Sequence, residues 1–340
     1  MAPRDYLENR LQVLAPLIAD ENMIEIAINE DGRVWIERAG DSHMALSELC
    51  LTPTDARDLA GLIANRQRLS LTEEEPAIST TIEFAGATLR CQAIIPPASA
   101  GGTVISFRVF RHRPADQQPC RFGFLRAQAT SLEDERAETL RRIRDMAVGR
   151  DDPDEFLRAC VDARMNIVIS GGTSSGKTEL ARRLLWMVAP EHRLALIEDS
   201  AELLPAHENV VSLIADRSET SPRSAAKLLE MTLRLRPDRI ILGELRGIEA
   251  VTFLEAINTG HEGSFTTVHA TSARKAVSRL AFLVMRAGMP LTLSEIREYV
   301  LNSIDVIVQT GRVGTQRGIL ETWFPALDGM ATGEGPGSIT

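Results

Sequence analysis

Residues 171–178 of the sequence are Gly171-Gly172-Thr173-Ser174-Ser175-Gly176-Lys177-Thr178. They match the pattern G-x-x-x-x-G-K-[ST], and they lie between an apolar run over 166–170 and an amphipathic run over 177–188. In this pattern the backbone N–H groups surround a phosphate, Lys177 reaches the terminal phosphates, and the Thr178 hydroxyl ligates Mg²⁺. The alternative is a Gly/Ser-rich turn without a ligand, but the flanking strand and helix favour an ATP and Mg²⁺ site.

Around this loop, helical and strand patterns alternate, which is typical of a parallel α/β sheet. Strands are predicted over 166–170, 194–198 and 239–242, with helices over 177–188 and 224–235.

The first hundred residues have a different pattern, which predicts a small mixed domain. It contains helices over 6–19 and 52–68, a hairpin formed by 24–29 and 33–38, and two or more strands over 81–95 and 102–110. A polar stretch with a charged helix over 132–147 follows. We therefore predict an amino-terminal α+β domain over 1–112, a linker with a helix over 113–150, and the nucleotide-binding domain over 151–340.

Composition excludes several classes of protein. The 340 residues carry a formal net charge of −9, with 44% hydrophobic and 25% charged residues, which is an ordinary globular balance. The negative charge disfavours free-standing nucleic-acid binding, although a local basic surface remains an alternative. No apolar run approaches the length of a membrane span, and the amino terminus has no classical secretion signal.

The four cysteines give no sign of a metal or redox motif. Cys50, Cys91, Cys120 and Cys160 are far apart in the sequence and form no CxxC pair. A zinc ribbon and a dithiol redox centre are therefore not expected, and a reducing cytosol fits the composition best.

Carboxylates follow two of the predicted strands. Glu198 and Asp199 end the strand over 194–198, and Glu244 follows the strand over 239–242 after a glycine. Acidic groups at such strand ends hold a metal ion and polarise water in nucleotide hydrolysis, and we assign that work first to Glu244. Thr178 and Glu244 are therefore the predicted metal ligands, while a solvated strand end or a helix cap is the alternative for each acid.

Two histidines occur in the stretch Thr259-Gly260-His261-Glu262-Gly263-Ser264-Phe265-Thr266-Thr267-Val268-His269-Ala270. Their spacing is not that of helical zinc ligands, and no cysteine lies nearby. A histidine beside a γ-phosphate could instead donate a hydrogen bond that reports whether the phosphate is present. The alternative for His261 and His269 is an imidazole hydrogen-bonded within the core.

Four stretches now stand in one order: GGTSSGKT, LIEDSAEL, RLRPDRIILGELRG and NTGHEGSFTTVHA. Together they resemble the hexameric traffic ATPases of bacterial secretion and pilus systems, most closely the type IV secretion branch. The matched stretches lie between residues 170 and 270, and the amino-terminal stretches EIAINEDGRVWIERAG, LRCQAIIPP and GGTVISFR resemble that family more loosely. The resemblance implies a RecA-like P-loop domain with a parallel sheet, preceded by a smaller α+β domain.

The resemblance also implies roles for single residues. Lys177 and Thr178 bind phosphates and Mg²⁺, and Glu244 supports attack by water. The other implied roles belong to an acidic box of Glu198 and Asp199, a γ-phosphate sensor at His269, and two further nucleotide contacts, Arg90 and Arg108. His261, from its place in the histidine stretch, is a further candidate nucleotide contact. For both arginines, a strand-surface charge is the alternative, although guanidinium groups suit phosphates in a closing site.

The chain departs from the family pattern at two loop positions. Ser174 stands where the family usually has glycine, and Glu179 stands where it usually has a second threonine. Ser174 places a β-carbon in a loop that phosphates approach closely, so it affects the expected nucleotide affinity.

The resemblance implies a homohexameric motor that hydrolyses ATP and energises type IV secretion, either substrate export or pilus assembly. It also implies peripheral attachment at the cytoplasmic face of the bacterial inner membrane, with secretion machinery components and other secretion ATPases as partners, and nucleic acid not required. The alternatives are a tight-adherence pilus ATPase, a nucleic-acid motor with a similar core, and a nucleotide-gated scaffold with little turnover.

Overall fold

The computed structural model of the chain describes residues 6–111, 123–125, 131–149 and 152–328. The predicted first helix is divided into α1 (Tyr6–Leu11), a 3₁₀ turn (Gln12–Leu14) and α2 (Ala15–Ala19). Pro16 lies in the first turn of α2 and has no N–H group, so an uninterrupted helix over 6–19 would lose a backbone hydrogen bond there.

An antiparallel six-stranded sheet follows, with one helix inserted in its sequence. The elements in chain order are β1 (Met23–Ile28), β2 (Arg33–Arg38), β3 (Ala45–Cys50), α3 (Pro53–Arg66), β4 (Ala77–Phe84), β5 (Ala87–Ile94) and β6 (Val104–Arg111). The strand order is β3-β2-β1-β6-β5-β4. The predicted hairpin is confirmed. Two or more strands are predicted over 81–95 and 102–110, and the structure has three, β4, β5 and β6, because a turn at Ala85 and Gly86, both with positive φ, separates β4 from β5.

The core of this sheet lies on the face covered by the amino-terminal helices. Fully buried side chains of α1, α2, α3 and β6 belong to one apolar cluster, for example Leu11, Ile18, Leu59 and Phe107. Apolar side chains removed from water in this way are the main stabilising contribution to such a layer.

The charged helix predicted within the linker is packed against the protein. It forms α4 (Leu132–Gly149), with Leu140 and Ile143 buried. Arg136 of α4 forms an ion pair with Asp305 at 2.5 Å and donates hydrogen bonds to the carbonyl oxygens of Ala163 and Arg164. Residues 113–122, 126–130 and 150 of the predicted linker lie outside the described residues.

The remaining elements confirm the α/β fold class. They are α5 (Pro153–Asp162), β7 (Ile167–Gly171), α6 (Lys177–Met187), β8 (Leu194–Glu198), β9 (Val210–Ile214), α7 (Ala225–Thr232), β10 (Arg239–Leu242), α8 (Glu249–Asn258), β11 (Phe265–Val268), α9 (Ala273–Arg286), α10 (Leu293–Ser303), β12 (Val306–Val313), β13 (Gln316–Trp323) and α11 (Pro325–Asp328). β7 pairs in parallel with β11 and β12, and β8 pairs in parallel with β9. β13 returns antiparallel to β12.

The chain forms two compact units. The first unit comprises Met1–Cys120, Ala189–Glu202 and Ala206–Ile241, and the second comprises Arg121–Val188, Leu203–Pro205 and Leu242–Thr340. The first contains the six-stranded sheet and the neighbouring strands β10-β8-β9, and the second contains β13-β12-β7-β11. The domain boundaries at 112 and 150 stay a prediction from the sequence pattern.

Within the first unit, β8 and β9 meet the amino-terminal segments through polar contacts. Ser212 of β9 receives a hydrogen bond from the Ala100 N–H and donates its own N–H to the Glu30 carboxylate, at 2.9 and 2.8 Å. Arg236, which precedes β10, forms an ion pair with Glu37 of β2 at 2.8 Å. Because these contacts are polar, the position of β9 and of the segment before β10 against the amino-terminal segments depends on hydrogen-bond geometry as well as on apolar packing.

Arg193 lies at the centre of this polar layer and is 1% exposed. Its Nε donates to the Leu235 carbonyl at 2.8 Å, and its Nη1 donates to the side-chain oxygens of Asn29 and Asn209. Its backbone N–H donates to Asp238 at 2.7 Å. One arginine, directly before β8, therefore joins the residue after β1, the residue before β9 and the segment before β10.

Glu25 of β1 is a buried carboxyl in the same unit. Burial raises its pKa from 4.5 to about 7, although Arg108 opposes that shift; Glu37 raises the pKa further, whereas Arg236 and Arg193 lower it. The folded state therefore retains a proton that the unfolded chain loses near pH 4.5. The stability contributed by this group is complete below pH 4.5 and is lost as the pH rises to about 7.

The variant Glu25→Gln is expected to raise the free energy of unfolding by about 2 kcal/mol at about pH 8 and to change it little at about pH 5. The reason is that the amide cannot ionise and so avoids the buried charge. Thermal unfolding at both pH values measures the effect, with Glu48→Gln, at an exposed position of β3, as the control. Equal shifts at the two pH values would contradict the assignment.

Two expectations from composition can be compared with the described residues. Among the described helices, none combines the length and the apolar character needed to cross a membrane. Cys50, Cys91 and Cys160 are free thiols, and burial raises the pKa of Cys91 and Cys160. Cys120 lies outside the described residues.

Candidate active site

The predicted phosphate-binding loop connects the end of β7 to the start of α6. Gly176 precedes α6 with a φ of +98°, and no side chain caps the amino terminus of the helix. The first N–H groups of a helix have no partner within it, and the helix dipole adds partial positive charge there. The loop therefore presents backbone N–H donors and a partial positive charge, both of which favour binding of an anionic phosphate.

Gly171 ends β7 at a position where no other side chain fits. A β-carbon there would overlap the hydroxyl oxygens of Ser175 and Thr310 and lie 3.0 Å from the Thr310 carbonyl oxygen. Close packing thus explains the first glycine of the pattern.

Ser174 has a φ of +58°, in the left-handed region that favours glycine. The family departure noted in the sequence therefore coincides with backbone strain at an exposed position of the loop.

Replacing Ser174 with glycine is expected to tighten ATP binding about threefold, equivalent to about 0.7 kcal/mol. Glycine adopts this φ freely and removes a β-carbon from a loop that phosphates approach. Titration with a fluorescent ATP analogue measures the change, and Ser218→Gly, outside the loop, is the control. Unchanged or weaker ATP binding by Ser174→Gly would mean that neither the positive φ nor the β-carbon of Ser174 reduces the affinity for ATP.

Lys177 opens α6 and points back across the loop. Its Nζ donates to the carbonyl oxygens of Gly171 and Gly172 at 3.0 Å each, and it lies 3.4 Å from Nδ1 of His269. Partial burial lowers the pKa of Lys177, while the nearby charge of Glu244 opposes that shift. An arriving phosphate would offer the ammonium group stronger, charge-assisted acceptors than these.

Glu244 lies between the side chains of Arg246 and His269. Arg246 Nη2 is 2.6 Å from its Oε2, and His269 Nε2 is 3.2 Å from its Oε1. Because Lys177 can only donate, Nδ1 of His269 accepts, so Nε2 carries the proton and donates to Glu244. Lys177, His269, Glu244 and Arg246 therefore form a continuous chain of hydrogen bonds.

The backbone around Glu244 is held by a neighbouring strand and by a helix cap. Thr267 of β11 accepts the Leu245 N–H at its carbonyl and donates its hydroxyl to the Gly243 carbonyl, at 2.9 and 2.7 Å. At the start of α8, the Glu249 carboxylate accepts the backbone N–H groups of Arg246 and Gly247. These bonds fix the turn that presents Glu244.

The donors present fit a magnesium nucleotide. No group of three or more metal-binding side chains occurs in the described part of the chain. Mg²⁺ in nucleotide sites usually has few protein ligands, because phosphate oxygens and water complete its octahedron. Thr178, as the hydroxyl ligand, and Glu244 are the residues that would hold it.

Glu198 ends β8 in the first unit, Asp199 follows it, and each has a partner there. The Glu198 carboxylate accepts the Glu202 N–H at 3.1 Å and is 8% exposed. Asp199 forms an ion pair with Arg217 at 3.1 Å. Their predicted catalytic role stays a prediction.

Arg90 and Arg108 also belong to the first unit and are cross-strand partners on β5 and β6. Both guanidinium groups contact the Phe110 ring, at 5.2 and 5.7 Å from its centroid, and Arg108 lies 3.8 Å from Glu25. The structure therefore places the two arginines together on one sheet face, while their contact with nucleotide stays a prediction.

The structure separates the two predicted histidines. His269 follows the carboxyl end of β11, which is paired in parallel with β7 so that Val268 lies opposite Ser170, beside the loop. His261 precedes the amino end of β11, and its Nδ1 lies 3.3 Å from the Ala256 carbonyl of α8. His261 therefore lies near the end of β11 that is away from the phosphate-binding loop. This placement does not support its predicted contact with nucleotide, which stays a prediction.

Two arginines of the site were missed in the sequence. Arg246 occurs in the quoted stretch GELRG, and its spacing of two residues from Glu244 could have indicated the ion pair. Arg317 of β13 lies beside the loop, with its Cδ 3.9 Å from where a β-carbon on Gly176 would be. No local pattern indicated Arg317, because its position depends on the pairing of β12 with β7.

Comparison with known proteins extends over nearly the whole chain. The family described as "Type II/IV secretion system protein" matches residues 126–311. Conjugal transfer protein TrbB of Rhizobium radiobacter is 36% identical, covering 91% of this chain and 85% of that protein. Type IV secretion system protein VirB11 of Brucella suis is 33% identical, covering 92% and 89%. The crystal structure of the VirB11 ATPase from Brucella suis has a TM-score of 0.79 at 30% identity and covers 94% of each chain.

Proposed function

Since the chain belongs to the type II/IV secretion system protein family, we propose that it is the ATPase of a type IV secretion system. The observation that carries the proposal is the hydrogen-bonded chain from Lys177 through His269 to Glu244 and Arg246, directly beside the phosphate-binding loop. Relatives described as conjugal transfer and VirB11 proteins support the assignment to type IV secretion.

The geometry suits the binding and hydrolysis of ATP with Mg²⁺. Residues 171–178 enclose the phosphates, Lys177 neutralises them, and Thr178 with Glu244 holds the metal ion. Glu244 orients and deprotonates the attacking water, and Arg246 and His269 hold its carboxylate in place. Mg²⁺ supplies charge neutralisation at the phosphate oxygens.

His269 is suited to sensing the terminal phosphate. It accepts from Lys177 and donates to Glu244, so its hydrogen bonds change when a phosphate takes over the Lys177 ammonium. We propose that this exchange links the state of the nucleotide to domain motion. The motor is proposed to act as a homohexamer at the cytoplasmic face of the inner membrane, with the secretion machinery and its other ATPases as partners.

The decisive experiment measures phosphate release and nucleotide binding across a series of protein concentrations, with size determined by light scattering. The variant Lys177→Ala is expected to abolish turnover and to weaken ATP binding about a hundredfold, because the phosphates lose their cation. Lys227→Ala, an exposed lysine on α7, is the matched control.

The outcomes separate the candidate functions. Turnover that rises with assembly and disappears in Lys177→Ala supports the oligomeric motor. Tight binding without turnover in any assembled state supports the nucleotide-gated scaffold. Turnover that survives in Lys177→Ala would overturn the proposed site.

A further inference from the structure

Thr310 of β12 lies behind the phosphate-binding loop. β12 pairs in parallel with β7, and in this register Thr310 is opposite Gly171, the residue at which the loop begins. Thr310 is 4% exposed and lies 139 residues after Gly171 in the sequence. Nothing in the nucleotide-binding pattern includes it.

The Thr310 hydroxyl makes two hydrogen bonds at the base of the loop. Its oxygen is 3.1 Å from the Ser170 carbonyl, to which it donates, and 2.8 Å from the Ser175 hydroxyl. A hydroxyl has one proton, so the bond to the Ser170 carbonyl requires Ser175 to donate to Thr310. Ser175 is thereby held inward, and it is 6% exposed.

These contacts connect the two sides of the loop. Ser170 is the residue before the last in the buried strand β7, and Ser175 lies at the far side of the loop, two residues before α6 begins. Gly172, Thr173 and Ser174 between them are exposed. Gly171 has no room for a side chain, because the two hydroxyls already occupy that space. The distance across the base of the loop is therefore set by one side chain from another strand.

We propose that Thr310 is a positioning residue for nucleotide binding, which fixes the curvature of the phosphate-binding loop through Ser175. The inference rests on the proposed function, because it assigns a role within the same site. Thr310 does not touch the nucleotide; it acts through the path of residues 171–176. Loss of its hydroxyl leaves Ser175 without its acceptor, and the loop can widen.

The test compares Thr310→Val with Thr310→Ser in full-length protein. Valine keeps the shape and loses the hydroxyl, so we expect the Kd for a fluorescent ATP analogue to rise about tenfold, as the loss of one buried hydrogen bond implies. Serine keeps the hydroxyl and is expected to bind within about threefold of the original protein. Thr232→Val, which removes a buried threonine hydroxyl bonded to Leu228 at 2.7 Å, is the control for stability.

A double-mutant cycle with Ser175→Ala identifies the path of the effect. If Thr310 acts through Ser175, Thr310→Val combined with Ser175→Ala weakens binding no more than the stronger single variant. If the double variant instead loses affinity by the product of the two single losses, the two residues act independently and the proposed path is wrong. Unchanged binding in Thr310→Val, with a fall in Tm like that of Thr232→Val, would overturn the positioning role while leaving the proposed function intact. If the original protein binds no nucleotide, both proposals fail.

Discussion

Replacing Glu244 with glutamine is expected to lower ATP turnover about a hundredfold or more while ATP affinity changes by no more than about threefold. The amide keeps the size and can still hydrogen-bond, but it cannot take a proton from water. The carboxylate in the structure is fixed by Arg246 at 2.6 Å and His269 at 3.2 Å, so its position is set before a nucleotide arrives. Phosphate release and analogue titration, run on the same samples, measure the two effects.

The control for this variant is Glu255→Gln, which changes an exposed glutamate on α8. It is expected to have the turnover of the original protein. If the turnover of Glu244→Gln stays within about threefold of that of the original protein, another group acts as the general base, and Glu198 and Asp199 are the next residues to test. Loss of binding together with turnover would instead assign Glu244 to holding the nucleotide.

Replacing Arg193 with methionine is expected to destabilise the protein by about 3–5 kcal/mol, since it removes one partner of a buried, hydrogen-bonded charge cluster. The change removes the guanidinium donors to the Asn29 side-chain oxygen and to the Leu235 carbonyl, and one of the two donors to the Asn209 side-chain oxygen. It also removes a buried positive charge near Asp238, which keeps its ion pair with Arg236. Thermal unfolding is expected to show a fall in Tm of about 10 °C.

The matched control is Arg10→Met. Arg10 also contacts two acidic residues, Asp55 and Asp58, but its side chain is 43% exposed. Exposed ion pairs contribute about 1 kcal/mol or less, so its Tm is expected to fall by about 3 °C at most. Equal effects of the two arginine variants would mean that burial of Arg193 does not determine its contribution.

Local sequence patterns predicted those parts of the fold that depend on neighbouring residues. The strand over 194–198 and the strand over 239–242 have the predicted bounds, because continuous apolar runs end there at charged or glycine residues. The sequence did not indicate β9 or the pairing of β12 and β13, which depend on long-range contacts rather than on a strong local pattern. The number of strands over 81–95 and 102–110 could be predicted only as two or more, because Ala85 and Gly86 form a turn that is too short to interrupt the apolar alternation.

The residues of the candidate site also differ in whether a local sequence pattern could identify them. The loop residues, Lys177, Glu244 and His269 could be found from a motif and from strand ends, and the structure brings these three side chains into contact. Thr310 could not be found in this way, because a threonine within an apolar strand is ordinary until its partner strand is known. His261 and His269 look equivalent in sequence, and only the direction of β11 relative to β7 distinguishes them.

The first unit is assembled from three separate stretches of chain, and this limits how the protein can be dissected. A fragment that ends at residue 120 would contain all six strands of the amino-terminal sheet but not Arg193, Asn209 or Ser212, on which Asn29 and Glu30 depend. A fragment that begins there would keep β8 and β9 without their covering sheet. Neither half of the sequence, expressed alone, is therefore expected to fold into a complete first unit. Fusion tags or inserted reporters are better placed in exposed turns, where they leave the three stretches of this unit in one chain.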